Sequence, residues 1–278
     1  MLGPTKVIGL VAALVLWGAG SASASVPHTE HATLGDWAAT FSYVKKGGSL
    51  PAYSDLRIRV THAGSVVLAA PVASSLRGVG HLLGPGGFQG HPSISFRDLD
   101  GNGSPELLLS LYTGGAHCCF LEQVFDFGSS TPRKTEINFA DSGAALVTMA
   151  GHSLFKSVDP SFAYAFTDFA DSGSPVALWE YGDGRLTNVT RSFPGAIARD
   201  AASWWKAYRA QAMRKGDVRG LLAAWAADEA SLGRAASART TLARLARTGA
   251  LDRGFGGAKG SSYVRALWRF LHKERYLS

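Results

Sequence analysis

FRDLDGNGSPELLLSLY, residues 96–112, decides how the front of this 278-residue chain reads. Oxygen-bearing side chains stand at alternate positions, Asp98, Asp100 and Asn102, with Glu106 closing the series and the Ser104 carbonyl available between them. Alternate residues of a tight loop converge on one point, and Ca²⁺ requires several hard oxygens at about 2.3–2.6 Å. Gly101 and Gly103 supply the positive φ that such a loop uses. An EF-hand needs a bidentate acid at its twelfth position, which here is Leu109, and it needs flanking helices. The flanks SISF and ELLLSL read instead as strands. The stretch therefore predicts a Ca²⁺ loop at the turn of a β-hairpin; the plainer alternative is an Asp/Asn/Gly turn without metal.

Two further places echo it. FTDFADSGSPVALWEY repeats the pattern 70 residues on, but Ala170, Ser172 and Val176 replace three ligand positions. Asp168 remains in place and Asp171 is displaced by one step. INFADSGAALVTM is a weaker copy that begins on Asn138. The reading is one metal loop and two degenerate ones in a repeated strand–loop–strand unit.

DLDGNGSPELLL resembles the FG-GAP/VCBS-type repeat, the strand–loop–strand unit of integrin-like β-propellers. The longer DLDGNGSPELLLSLYTGGAHCCF, followed by YGDGRLTNVTRSFP, is similar to bacterial exported proteins carrying such repeats. The resemblance covers roughly 98–195 and extends to the helical tail. It implies Ca²⁺ held by the Asp/Asn loop and an extracytoplasmic binding or structural module without established catalysis. Three repeats fall short of the 4–8 blades of a propeller. An open stack of sheets or a sandwich, sealed by helices, suits the length better.

Residues 1–24 read as an export signal: Lys6, the apolar run Val7 to Trp17, then small residues ending in Ala22-Ser23-Ala24. That run is about half the ~20 residues a membrane span needs, and no later run is long enough. Cleavage near Ala24 would leave a secreted or envelope-associated protein. Composition fits a globular chain, with 46% apolar and 18% charged residues, and 33 glycines without a three-residue period exclude collagen.

The net charge of +7 conceals a division. Residues 25–195 carry 11 basic and 15 acidic side chains, a balance of −4, whereas 196–278 carry 16 and 6, a balance of +10. Secondary-structure signals change at the same point. Short runs such as LRIRVTHAGSVVLAAPV, QVFDF, FAYAFTDF and VALWEY predict strands over 25–195. After Pro194, apolar residues at three- and four-residue steps predict a helical bundle, with helices near 196–215 and 235–248 ended by Gly216 and Gly249. Between them Asp217 can cap a helix stopped by Gly233, and the Gly-rich link 254–260 leads to a last one holding Val264, Leu267, Trp268 and Leu271. The expected architecture is α+β, a β-rich domain followed by a basic helical domain, with opposite charges helping to dock them. The basic half suits a glycan or another anionic envelope polymer, or a protein partner; export and the lack of aromatic–basic stacking motifs speak against nucleic acid. A solvated arginine face is the plainer reading.

Cys118 and Cys119 are adjacent and are the only cysteines. Three readings stand: a vicinal disulfide, two buried thiols, or a soft-metal or redox site made with His117. The turn at Gly114-Gly115 predicts that this trio lies beside the Ca²⁺ hairpin, which would make a functional patch. His28, His31, His62, His81, His91, His152 and His272 are scattered, with His28 and His31 expected in a loose polar end. No nucleophile–base–orienter set can be assembled, so an envelope hydrolase is the third functional reading, behind a Ca²⁺-stabilised envelope protein and a thiol protein. The sequons at Asn102 and Asn188 read as incidental.

Overall fold

The computed structural model describes residues 25–47, 52–76, 83–87, 92–115, 117–254 and 256–277. The expected leader, 1–24, and His81 and His91 lie outside these residues.

Thirteen strands make three antiparallel sheets among the described residues. The first is a meander of β1 (Ser25–Leu34), β2 (Trp37–Lys46), β3 (Ala52–His62) and β4 (Ser65–Pro71). In β3, Leu56, Ile58 and Val60 are buried while Asp55, Arg57 and Arg59 between them face solvent, the period-2 signature of a one-sided strand. The second sheet holds β5 (Gly84–Pro85), β6 (Ile94–Arg97), β7 (Glu106–Gly115), β8 (Cys118–Asp126) and β9 (Arg133–Asn138), with β7 paired to β5, β6 and β8. The third is a meander of β10 (Ala145–Met149), β11 (His152–Val158), β12 (Val176–Gly182) and β13 (Arg185–Asn188).

The layers follow from which side chains meet. Leu107, Leu109 and Leu111 of β7 share a core with Phe41, Ile58 and Val60 of the first sheet. Leu108 and Val124, on the opposite face, pack with Phe155 and Tyr181 of the third sheet. The continuous run ELLLSL thus arises because both faces of β7 are covered. Leu154, Val176 and Leu178 present the far side of the third sheet to Ile197 of α1 (Pro194–Met213). The sheets stack without closing into a barrel or propeller, and the helices follow them, as the α+β reading expects.

The remaining helices are α2 (Arg219–Ser231), α3 (Ala235–Arg247) and α4 (Gly260–Lys273). Gly233 and Gly249, at φ +76° and +72°, follow α2 and α3 as the expected stops. Leu222, Ala226, Leu242, Tyr263, Leu267 and Leu271 form their core, with Trp225 inside it and Trp204, Trp205 and Trp268 half-buried at its edge. No helix among the described residues is long and apolar enough to cross a membrane.

Several expectations are corrected. FAYAFTDF forms no strand; after a 3-10 turn at Pro160–Phe162, Phe162 and Phe166 pack into the helical core, so their apolarity serves the bundle. The second repeat loop bridges β9 and β10, which lie in different sheets, and the third has no strand before it. The polar N-terminal stretch is ordered as β1, with His28 stacked on Tyr43 at 5.4 Å and His31 Nδ1 3.4 Å from Thr40 Oγ1. Asp217 stands one residue before the N-cap position of α2, which Val218 occupies, and from there its Oδ1 accepts the Arg219 N–H at 3.0 Å.

Nor do opposite charges join the halves: no ion pair crosses between them among the described residues. Neutral-partner hydrogen bonds do, among them Val176 N–H to Asp200 Oδ2 (2.8 Å) and Tyr276 O–H to Asp159 Oδ2 (2.8 Å). Of the basic side chains beyond residue 196, Arg219 alone is buried and the others are exposed, so the charge sits on a solvated face.

Candidate functional site

The hairpin β6–β7 closes on Arg97 paired with Glu106, and the eight residues between them form the acidic loop. Its apolar member, Leu99, is buried with Leu108, Val124, Phe139, Phe155 and Tyr181, which pins the backbone so that Asp98 and Asp100 fall on the outer side. Asp98 Oδ1 accepts from Gly101 N–H at 2.8 Å and Oδ2 from Gly103 N–H at 3.0 Å. Asp100 accepts from the Asn102 backbone at 3.2 Å and side-chain amide at 3.0 Å, and Asn102 Oδ1 accepts from Ser104 N–H at 2.7 Å. Gly101 and Gly103 have φ of +74° and +84°, the left-handed turn their absence of Cβ permits.

Glu106 is 1% exposed, and its Oε2 accepts from Leu99 N–H at 2.8 Å. Burial is the main force pushing its carboxyl up to about 7, with Asp100 and Asp126 adding repulsion against the opposing pull of the Leu99 amide. Carboxylate oxygens of Asp98, Asp100 and Glu106 lie within 4.8 Å of one another. Three hard oxygens, with the Asn102 and Ser104 positions alongside, fit the donor chemistry of a Ca²⁺ ion. The loop borders a polar cavity of about 550 Å³ whose other wall is formed by residues 151–153 and 180–183. His152 and Glu180 on that wall form a 2.5 Å contact between Nδ1 and Oε1.

The other two loops do different work. Asn138 Oδ1 accepts from Ala140 N–H at 2.8 Å and closes a turn. Asp168 Oδ1 accepts from Asp171 N–H at 2.9 Å, and Asp171 Oδ1 accepts from Gln211 Nε2 of α1 at 3.1 Å. Burial first, then Asp168 and Asp217, raise the Asp171 carboxyl. The third loop is a docking surface for α1 and α2.

Cys118 and Cys119 are joined as a vicinal disulfide, with a cis peptide between them. Cys119 N–H donates to Thr113 Oγ1 at 2.7 Å. The His117 ring lies 4.2 Å from Phe169 and edge-on to the exposed Tyr164. The expected contact with the acidic loop does not occur. Glu106 begins β7 and Gly115 ends it, so the loop and the cysteines occupy opposite ends of a ten-residue strand, roughly 30 Å apart at about 3.3 Å per residue.

Sequence reasoning passed over three buried polar groups. Arg219 is fully buried, donating to Asp217 and to the Gly256 and Ala258 carbonyls. Asp228 is 2% exposed, and its carboxyl is pushed up to about 9 by burial and by neighbouring Asp200. Glu122 lies on β8 facing a cavity. For Arg219, the clustered glycines of RGFGGAKG are the available signal, since a wrapped ion pair needs close backbone approach.

No family model matches the chain, and no solved structure matches it. It is similar to a protein of Synechocystis sp. named as a probable thylakoid lumen protein, 29% identical over 148 residues. That alignment takes in 50% of this chain and 44% of the relative, so the chain spans less than half the length of the curated relative it matches.

Proposed function

We propose that this is an extracytoplasmic, Ca²⁺-stabilised binding or structural protein that takes its metal at the Asp98/Asp100/Glu106 loop. The observation that carries the reading is the convergence of those three carboxylates, one of them buried, at the turn of a hairpin. A buried carboxylate without a cation is costly, and a bound divalent ion offsets that cost. The likeness of DLDGNGSPELLL to FG-GAP/VCBS repeats supports the same assignment. Asp98, Asp100 and Glu106 would supply carboxylate ligands, with Asn102 and Ser104 completing the set. The ion's contribution is to tie the hairpin turn to the buried start of β7.

The expected export leader and the lumenal name of the Synechocystis relative support a location outside the cytoplasm. The exposed basic face of the helices suits a glycan or other anionic envelope polymer, or a protein partner.

The test is thermal unfolding and calorimetric titration with Ca²⁺ for the wild type and for Asp98→Ala/Asp100→Ala. Ca²⁺ is expected to raise the wild-type melting temperature and to leave the variant's unchanged. A wild type that melts identically in Ca²⁺ and in chelator overturns the metal assignment.

A further inference from the structure

The inner face of the second sheet is not filled along its whole length. Towards the acidic loop, Leu108 and Val124 are covered by Phe155 and Tyr181. Farther along the same strands, Ser110, Tyr112, Phe120 and Glu122 border a cavity of about 500 Å³. That volume lies within the usual range for a small-molecule site. The Tyr112 and Phe120 rings stack at 4.6 Å with 28° between their planes.

The roof is the loop 139–144, and it is firmly held. Phe120 N–H donates to the Ala140 carbonyl at 2.7 Å, Phe139 N–H to the Phe120 carbonyl at 2.8 Å, and Ser157 Oγ–H to the Gly143 carbonyl at 2.6 Å. A Cβ on Gly143 would stand 3.3 Å from the Phe120 ring, so glycine lets the roof approach the aromatic wall.

Glu122 is 9% exposed and is the acid in the wall of this cavity. Its Oε2 accepts from Ser110 Oγ at 2.7 Å, while Oε1 has no hydrogen-bond partner among the described residues. No described lining residue is basic, and Asp141 adds a second carboxylate at the rim. A buried carboxyl beside stacked rings, with no cation among the described residues, presents one strong acceptor next to an aromatic surface.

We infer that this cavity binds a small organic cation, an ammonium or amidinium group carried on an apolar or aromatic body. The cationic head pairs with Glu122 and the body lies against Tyr112 and Phe120. An anion meets two carboxylates and no described basic side chain, and a neutral body offers the Glu122 carboxylate at most an uncharged hydrogen bond, weaker than a charge-assisted one. Burial pushes the Glu122 carboxyl up to about 7, with Ser110 opposing, so pairing with a cation releases a proton near neutral pH. The titratable groups sharing the wall are Tyr112 on β7 and Asp141 in the roof. This assignment is independent of the metal loop.

The test is calorimetric titration of the full chain with benzamidinium, benzoate and benzyl alcohol at pH 5.5 and 8. Benzamidinium stays charged across that range. It is expected to bind at pH 8, at least tenfold more weakly at pH 5.5, and at least tenfold more weakly to the near-isosteric Glu122→Gln. Asp98→Ala/Asp100→Ala is expected to bind it like the wild type, which separates this site from the metal reading. Equal binding of benzoate or benzyl alcohol overturns the inference, as does absence of benzamidinium binding at pH 8. Should Glu122→Gln fail to fold, the wild-type profile decides: affinity unchanged between pH 5.5 and 8 overturns it.

Discussion

Gly220, in the first turn of α2, passes so close to the Asp171 carbonyl that a methyl group on its Cα would collide with that oxygen. The Ser172 Cα and a Thr167 methyl, each 2.8 Å from the same point, close the remaining directions. The third repeat loop is thereby seated against the helices with backbone touching backbone. In an open helix, glycine to alanine stabilises by roughly 0.8–1.0 kcal/mol. Here the steric term opposes and outweighs it. Gly220→Ala is expected to destabilise by about 1–3 kcal/mol, read as a lower urea midpoint at unchanged slope. A midpoint equal to or above the wild type would sink this account of the docking.

That contact also shows where the sequence was legible and where it was not. Leu107 to Leu111 and the alternation of β3 declare strands, because periodicity is local and needs no partner to be read. Asp98, Asp100 and Glu106 converge for the same reason: a short hairpin fixes them relative to one another. FAYAFTDF reads as a strand and forms none, because Phe162 and Phe166 answer to a core supplied by helices far along the chain. The cysteines were expected beside the acidic loop, yet β7 runs ten residues between them. Separation along a strand is distance, whereas separation across a turn is proximity. Glu122 gave no signal because its meaning depends on a cavity closed by residues 139–144.

The pair Asp217–Arg219 is almost wholly removed from water, with 6% and 1% of the side chains exposed. Gly254 passes so close that a Cβ there would strike the Asp217 carboxylate. Burial raises the Asp217 carboxyl, but hydrogen bonds from Arg219 and Thr167 outweigh it and leave the carboxyl below its ordinary value. Asp217→Ala leaves a buried guanidinium without its carboxylate, and a loss of about 3–5 kcal/mol is expected. The sign with pH follows from the lowered value: this stabilisation is present above the unfolded carboxylate range and is lost as pH falls through the folded value. Urea unfolding from pH 7 down to pH 3 checks both points. A variant within about 1 kcal/mol of the wild type at pH 7 contradicts the pair's role.

Cys118 and Cys119 are joined to each other and are the only cysteines in the chain. Native protein denatured without reductant is therefore expected to show no titratable thiol, and two after reduction. Because β7 separates the cysteines from the acidic loop, Asp98→Ala/Asp100→Ala is expected to give the same counts. Thiols that titrate in denaturant before reduction would return the pair to the free-thiol or soft-metal reading.

Asp228 of α2 and Asp200 of α1 bring two carboxyls together where the helices meet the third sheet. Asp200 Oδ2 already accepts from Val176 N–H at 2.8 Å and Trp204 Nε1–H at 3.0 Å. Asp228 has burial and the Asp200 charge against ionisation, with Glu229 adding to them, and is pushed up to about 9. It keeps its proton at neutral pH. A carboxyl raised on folding binds its proton in the folded state and loses it in the unfolded one between about pH 4 and 9, so folding stability falls as pH rises through that window. One such proton changes stability by at most about 1.4 kcal/mol per pH unit. Asparagine at 228 is uncharged at every pH and retains an N–H donor for Asp200. Asp228→Asn is therefore expected to gain on the wild type as pH rises from 6 to 9, by on the order of 1–3 kcal/mol, whatever its offset at pH 6. Urea midpoints of the two proteins at pH 6, 7.5 and 9 measure the divergence, with every other titrating group common to both. Parallel curves would mean that Asp228 is ionised beside Asp200 in the folded protein.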